Sequence, residues 1–221
     1  MWHWLLHTPA GQWTRIAIGV AIFIVFAIVD LKKKGEHATR WKEYTFVLMA
    51  VLVAILYGVL NDQVTSTICW EYFYYGKEIH KVVGPETPPA EWPFRWEVAK
   101  VGVAATWSMG LILGVALLIA NNPRKKLPQF TYRTLFLCVL GILVFTACSG
   151  MVGGWLGYHG FFNNASEDFR DMVRANVFRP QHFLCTWGVH MGDYLGGIVG
   201  TILCCVWIQM RRKKLAKSLA T

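Results

Sequence analysis

The sequence predicts an all-α integral membrane protein, a helical bundle of five transmembrane helices with its N-terminus outside and its C-terminus cytoplasmic. Three observations predict it. Five apolar runs each approach or exceed the ~20 residues that cross a bilayer. Eleven tryptophans stand among 221 residues, and tryptophan gathers where bilayer meets water. The basic residues are sorted into alternate connecting segments. Only 16% of the chain is charged against 55% hydrophobic, and the apolar runs are nearly continuous rather than amphipathic. The length suits a single transmembrane domain over residues 1–221.

The first run covers about 13–31, with Ile16 to Val29 as its core. No basic segment precedes it and no small-x-small site follows it, so it reads as a span rather than a cleaved signal peptide. The second covers about 44–60 and leaves through an unusually polar stretch, Asn61-Asp62-Gln63-Val64-Thr65-Ser66-Thr67. Pro85, Pro88, Pro89 and Pro93 break the following segment into turns and argue against a further span there. The third covers about 98–120, with Glu97 and Lys100 at its entry expected to pair across one helical turn. The fourth covers about 134–155 and closes on Gly150, Gly153, Gly154 and Gly157, small residues that let membrane helices approach closely. The fifth covers about 183–210.

Lys and Arg collect in cytoplasmic loops. Fourteen of the 22 lie at 31–43 (Lys32, Lys33, Lys34, Arg40, Lys42), at 121–133 (Arg124, Lys125, Lys126, Arg133) and after 210 (Arg211, Arg212, Lys213, Lys214, Lys217). With five spans these segments share one side. Most acids fall on the other. The net charge of +9 therefore reads as a sorting signal, not as a nucleic-acid surface. The expected partner is the lipid bilayer, and membrane-protein partners or a homo-oligomer are compatible with it. On the outer side, Asn164-Ala165-Ser166 is a glycosylation sequon in a eukaryotic secretory pathway. Trp2 and Trp4 suit an interfacial anchor, with His3 and His7 four residues apart.

No Walker loop, dinucleotide fingerprint, Cys-x-x-Cys pair or zinc-protease helix is present, and no inverted repeat signals a transporter. What remains is a set of ionisable residues at membrane depth, where they are costly and usually face a bundle interior or aqueous cavity. Six of the seven histidines fall on the outer side, only His37 on the inner. At about 100° per residue, His182, Thr186, His190, Asp193 and Gly197 share one arc of the fifth span. His190 and Asp193 are direct neighbours on it. Asp62, Thr65 and Cys69 recur at helical spacing after the second span, as do Thr67 and Glu71. His159 stands at the mouth of the fourth.

Imidazole and carboxylate side chains converging on one face suggest a metal-binding polar site, for which redox or hydrolytic catalysis is one use. Glu71, His159, His190 and Asp193 are the first candidate ligands, with Asp62 and His182 next. Such a set suits iron, zinc, copper or manganese. The rival reading is a non-enzymatic subunit, assembly factor or small carrier. There the same residues form a structural or proton-conducting network. Haem lacks a deep facing histidine pair. Cys138, Cys204 and Cys205 read as apolar fillers. Cys69 and Cys185 both fall near the outer boundary and could join in an oxidising compartment, with Cys148 as an alternative partner.

The Asn61-Asp62-x-x-Thr65-x-Thr67 run with Glu71-Tyr72-Phe73, together with His190-x-x-Asp193-Tyr194-x-Gly196-Gly197, resembles a pattern of uncharacterised bacterial polytopic inner-membrane proteins. It covers about forty residues, both segments on the outer side. The resemblance implies a shared site in a bacterial cytoplasmic (inner) membrane and supplies no reaction.

Overall fold

The computed structural model describes residues 9–122, 127–164 and 177–219, and these are helical with no strand among them. Five helices are long and apolar enough to cross a membrane. They are α1 (Pro9–Lys34), α2 (Arg40–Ile68), α4 (Glu91–Ala120), α5 (Tyr132–Tyr158) and α6 (Pro180–Ser218), with a short α3 (His80–Val83) between α2 and α4. Each is longer than the apolar run it contains. His3 and His7, and the sequon beyond Asn164, lie outside the described residues.

The termini of these helices follow local chemistry. Pro180 opens α6, where its missing N–H costs no intrahelical bond. Pro93 stands in the first turn of α4 for the same reason, so this proline begins a helix and does not belong to the loop. α1 ends on Lys32, Lys33 and Lys34, cations favoured beside C-terminal carbonyls. Asp30 then closes the turn into α2. Its carboxylate accepts from the Trp41 backbone N–H at 3.1 Å and lies 3.3 Å from the Lys34 ammonium.

Contacts divide the chain into two compact units. The first comprises the described parts of Met1–Ile55, Thr106–Val139 and Cys205–Thr221. Val47, Ala50, Leu117, Leu135 and Ile208 are buried in it. Gly110 allows α4 to lie against α2, since a Cβ there would come within 2.8 Å of Ala54 Cβ and Val51 Cα. Along α1, by contrast, Ile18, Ile22, Val25, Phe26 and Val29 stay exposed, as a lipid-facing helix requires. Near the other end of α6, Arg212 is fully buried. Its guanidinium donates to four carbonyls: Ala120 (2.6 Å), Asn122 (2.8 Å), Leu127 (3.0 Å) and Pro128 (2.8 Å). The sequence pattern had grouped Arg212 with the sorted basic tail.

The second unit comprises Leu56–Ala105 and the described parts of Leu140–Cys204. Its core gathers Cys69, Tyr72, Phe73, Tyr74, Ile79, Phe94, Val98, Val177 and Phe183. Here α5 and α6 meet through glycines. A Cβ on Gly153 would overlap the Gly188 carbonyl, and one on Gly157 the Leu184 carbonyl. The small residues read from the sequence as packing sites thus set backbone against backbone. At the entry to α4, Lys100 Nζ lies 2.6 Å from Glu97 Oε1, the pairing expected from their spacing.

Candidate functional site

α2 does not end where its apolar run ends. Thr65, Ser66 and Thr67 turn their hydroxyls back onto carbonyls three or four residues earlier, at 2.9, 2.9 and 2.6 Å. Hydroxyls satisfied in this way can stay inside a helix. The polar exit is therefore a helix face, and it carries Tyr57, Asn61, Asp62 and Thr65. Arg95 holds this stretch in place, donating to the Gln63 carbonyl at 2.9 Å and to Ser66 Oγ. Past Ile68 the chain tightens into a wide π-type turn, Tyr72–Gly76, a geometry often found at functional sites.

Facing this stretch, α6 presents Thr186, His190 and Asp193, all buried. This is the arc expected from helical spacing. Asp193 has both oxygens occupied: Tyr57 Oη donates to Oδ1 at 2.7 Å and Asn61 Nδ2 to Oδ2 at 2.9 Å. Gly150 of α5 makes room for this carboxylate, since a Cβ there would overlap Asp193 Oδ1. Asp62 Oδ1 lies 3.8 Å from His190 Nδ1, and both side chains are at least nine-tenths buried. Asp62 Oδ2 and His190 Nε2 are buried without a hydrogen-bond partner among the described residues.

Aromatic rings enclose the imidazole. Tyr72 stacks on His190, with centroids 4.8 Å apart and planes 11° from parallel, and Phe73 meets it edge-on at 5.7 Å. The Lys77 ammonium sits over the same Tyr72 ring, 5.4 Å from its centroid, and attracts the Asp62 charge. The tyrosine-rich stretch is largely core: Tyr72, Phe73 and Tyr74 are buried.

Of the six residues expected to act together, the structure brings together Asp62, His190 and Asp193. Glu71 is also buried, but its carboxylate accepts from the Phe178 backbone N–H and the Cys69 thiol. Burial pushes that thiol up to about 12, so Cys69 stays protonated and serves as the donor. His159 lies exposed against its own helix, with Nδ1 2.8 Å from the Trp155 carbonyl and its ring 4.5 Å from that of Trp155. His182 is half-buried and packs edge-on to Tyr158. Among the described residues, no group of three or more His, Cys, Asp and Glu side chains is arranged to hold a metal ion. The cysteine bridge considered for Cys69 with Cys185 or Cys148 is corrected: all three thiols are free.

Two members of the site had no place among the candidate ligands. Tyr57 lies four residues before Asn61, so helical spacing alone would have put it on the polar face. Asn61 stood inside the motif, but its amide acts through Asp193. No protein-family model, curated protein or solved structure matches this chain.

Proposed function

We propose that this multi-pass membrane protein is a proton-handling component, a carrier or a subunit of a larger assembly. Asp62 and His190 exchange the proton, and Asp193 positions them. One observation carries the reading: two buried polar atoms, Asp62 Oδ2 and His190 Nε2, have no hydrogen-bond partner among the described residues, beside a carboxylate whose own oxygens are both taken. An unsatisfied buried polar group costs about 1–3 kcal/mol. Ionisable groups at membrane depth cost more and mark proton relays and substrate paths.

The chemistry suits the geometry. An imidazole accepts a proton on one nitrogen while releasing one from the other, and it titrates near neutral pH when unperturbed. A carboxylate 3.8 Å away can take that proton after a small side-chain rotation, or through one bridging water. Tyr57 and Asn61 hold Asp193 in place as a fixed acceptor on the same face of the site. The charge distribution supports an outer-facing position for the cluster in a cytoplasmic-type membrane.

The test is proton flux in vesicles containing purified protein and an internal pH-sensitive dye, under an imposed pH gradient with the membrane potential clamped. Wild type dissipates the gradient. Asp62→Asn and His190→Ala bring the rate to that of empty vesicles, while Glu97→Gln leaves it unchanged. A wild-type rate equal to that of empty vesicles would overturn the proposal. So would a stoichiometric transition metal that His190→Ala loses, which would make the cluster a metal centre.

A further inference from the structure

A second feature lies in the first unit and is independent of the proton reading. α4 and α6 leave between them a groove of about 540 Å³, lined by residues that include Ala116, Ile119, Cys205, Val206, Met210 and Lys213. Ile119, Val206 and Met210 are more than half exposed, so the groove opens sideways onto what surrounds the bundle. In a helix that crosses a membrane, that surrounding is lipid. Lys213 follows Cys205 and Gln209 at four-residue intervals, so one face of α6 passes from apolar to cationic along the groove. Arg211, Lys214 and Lys217 are exposed on the same helical end, with no acid among residues 205–217.

We propose that this groove binds one anionic phospholipid of the adjacent leaflet, with an acyl chain laid along α4 and α6 and the phosphate held by Lys213. The end of α4 favours this occupant. Helix C-terminal carbonyls carry partial negative charge and would repel a phosphate. Here the Ala120 carbonyl is covered twice, by the Gln209 amide and by Arg212 Nη1. That carbonyl is thus satisfied beside the groove, and Lys213, exposed among the lining residues, offers the nearby cation. Juxtamembrane basic clusters attract anionic lipid in this way. A second copy fits less well, because a two-fold contact on this face would oppose one basic cluster to another.

The experiment is native mass spectrometry of the full chain, released from mixed micelles holding equal phosphatidylglycerol and phosphatidylcholine. Wild type retains one phosphatidylglycerol in preference to phosphatidylcholine. Lys213→Ala lowers that preference roughly fivefold, the loss expected for one basic contact at an anionic surface. Val206→Trp fills the groove and lowers retention of both lipids. Equal retention of the two lipids by wild type, or a Lys213→Ala protein with wild-type preference, would overturn the proposal. A wild-type dimer that Val206→Trp disperses would also overturn it, by assigning the groove to a second copy.

Discussion

Gly153→Leu is expected to be strongly destabilising, with an unfolding midpoint well below that of wild type. A Cβ at this position already overlaps the Gly188 carbonyl, and the obstacle is backbone, which no rotamer change can remove. Overpacking of side chains costs about 1–3 kcal/mol, and here α5 and α6 would have to separate along their whole glycine seam. Gly141→Ala supplies the contrast within the same helix. No atom lies within 4 Å of a Cβ there, so the substitution should leave stability unchanged or raise it by up to about 1 kcal/mol through helix propensity. The measurement is helix loss by circular dichroism on titrating a mild detergent with sodium dodecyl sulfate. Equal midpoints for the two variants would refute the close seam.

The second large effect separates two adjacent arginines. Arg211 is exposed and Arg212 fully buried among four carbonyls. Arg212→Ala strands those oxygens and should cost about 3 kcal/mol or more. Arg211→Ala should cost less than about 0.5 kcal/mol. Both remove one positive charge from the same end of α6, so a role in membrane sorting alone would affect them equally. The same denaturant titration reads the difference.

These two arginines show where the sequence could be read and where it could not. The five spans were legible because bilayer thickness imposes a length that an apolar run either meets or fails. The arc of Thr186, His190 and Asp193 was legible because 3.6 residues per turn fixes spacing within one helix. Proximity between helices was not. α2, α4 and α5 are apolar nearly all round, so no stripe announces which face meets which neighbour. Asp62 could therefore be named as a candidate, but its approach to His190 could not be separated from that of Glu71. The turn at Tyr72–Gly76 decides that question, since it carries Glu71 to the Phe178 N–H and Tyr72 to the imidazole. Arg212 stayed hidden for another reason. A sorted charge and a buried one look the same in a run of four basic residues.

The stacked Tyr72 ring has a spectroscopic consequence. An imidazole lying 4.8 Å beneath a nearly parallel phenol sits in the shielding cone of its ring current. The carbon-bound protons of His190 should resonate upfield of those of exposed His37 in a histidine-labelled sample. Tyr72→Leu should return them toward the exposed positions. The chain thus carries a built-in magnetic reporter at the enclosed imidazole of His190, readable without knowing what the protein acts upon.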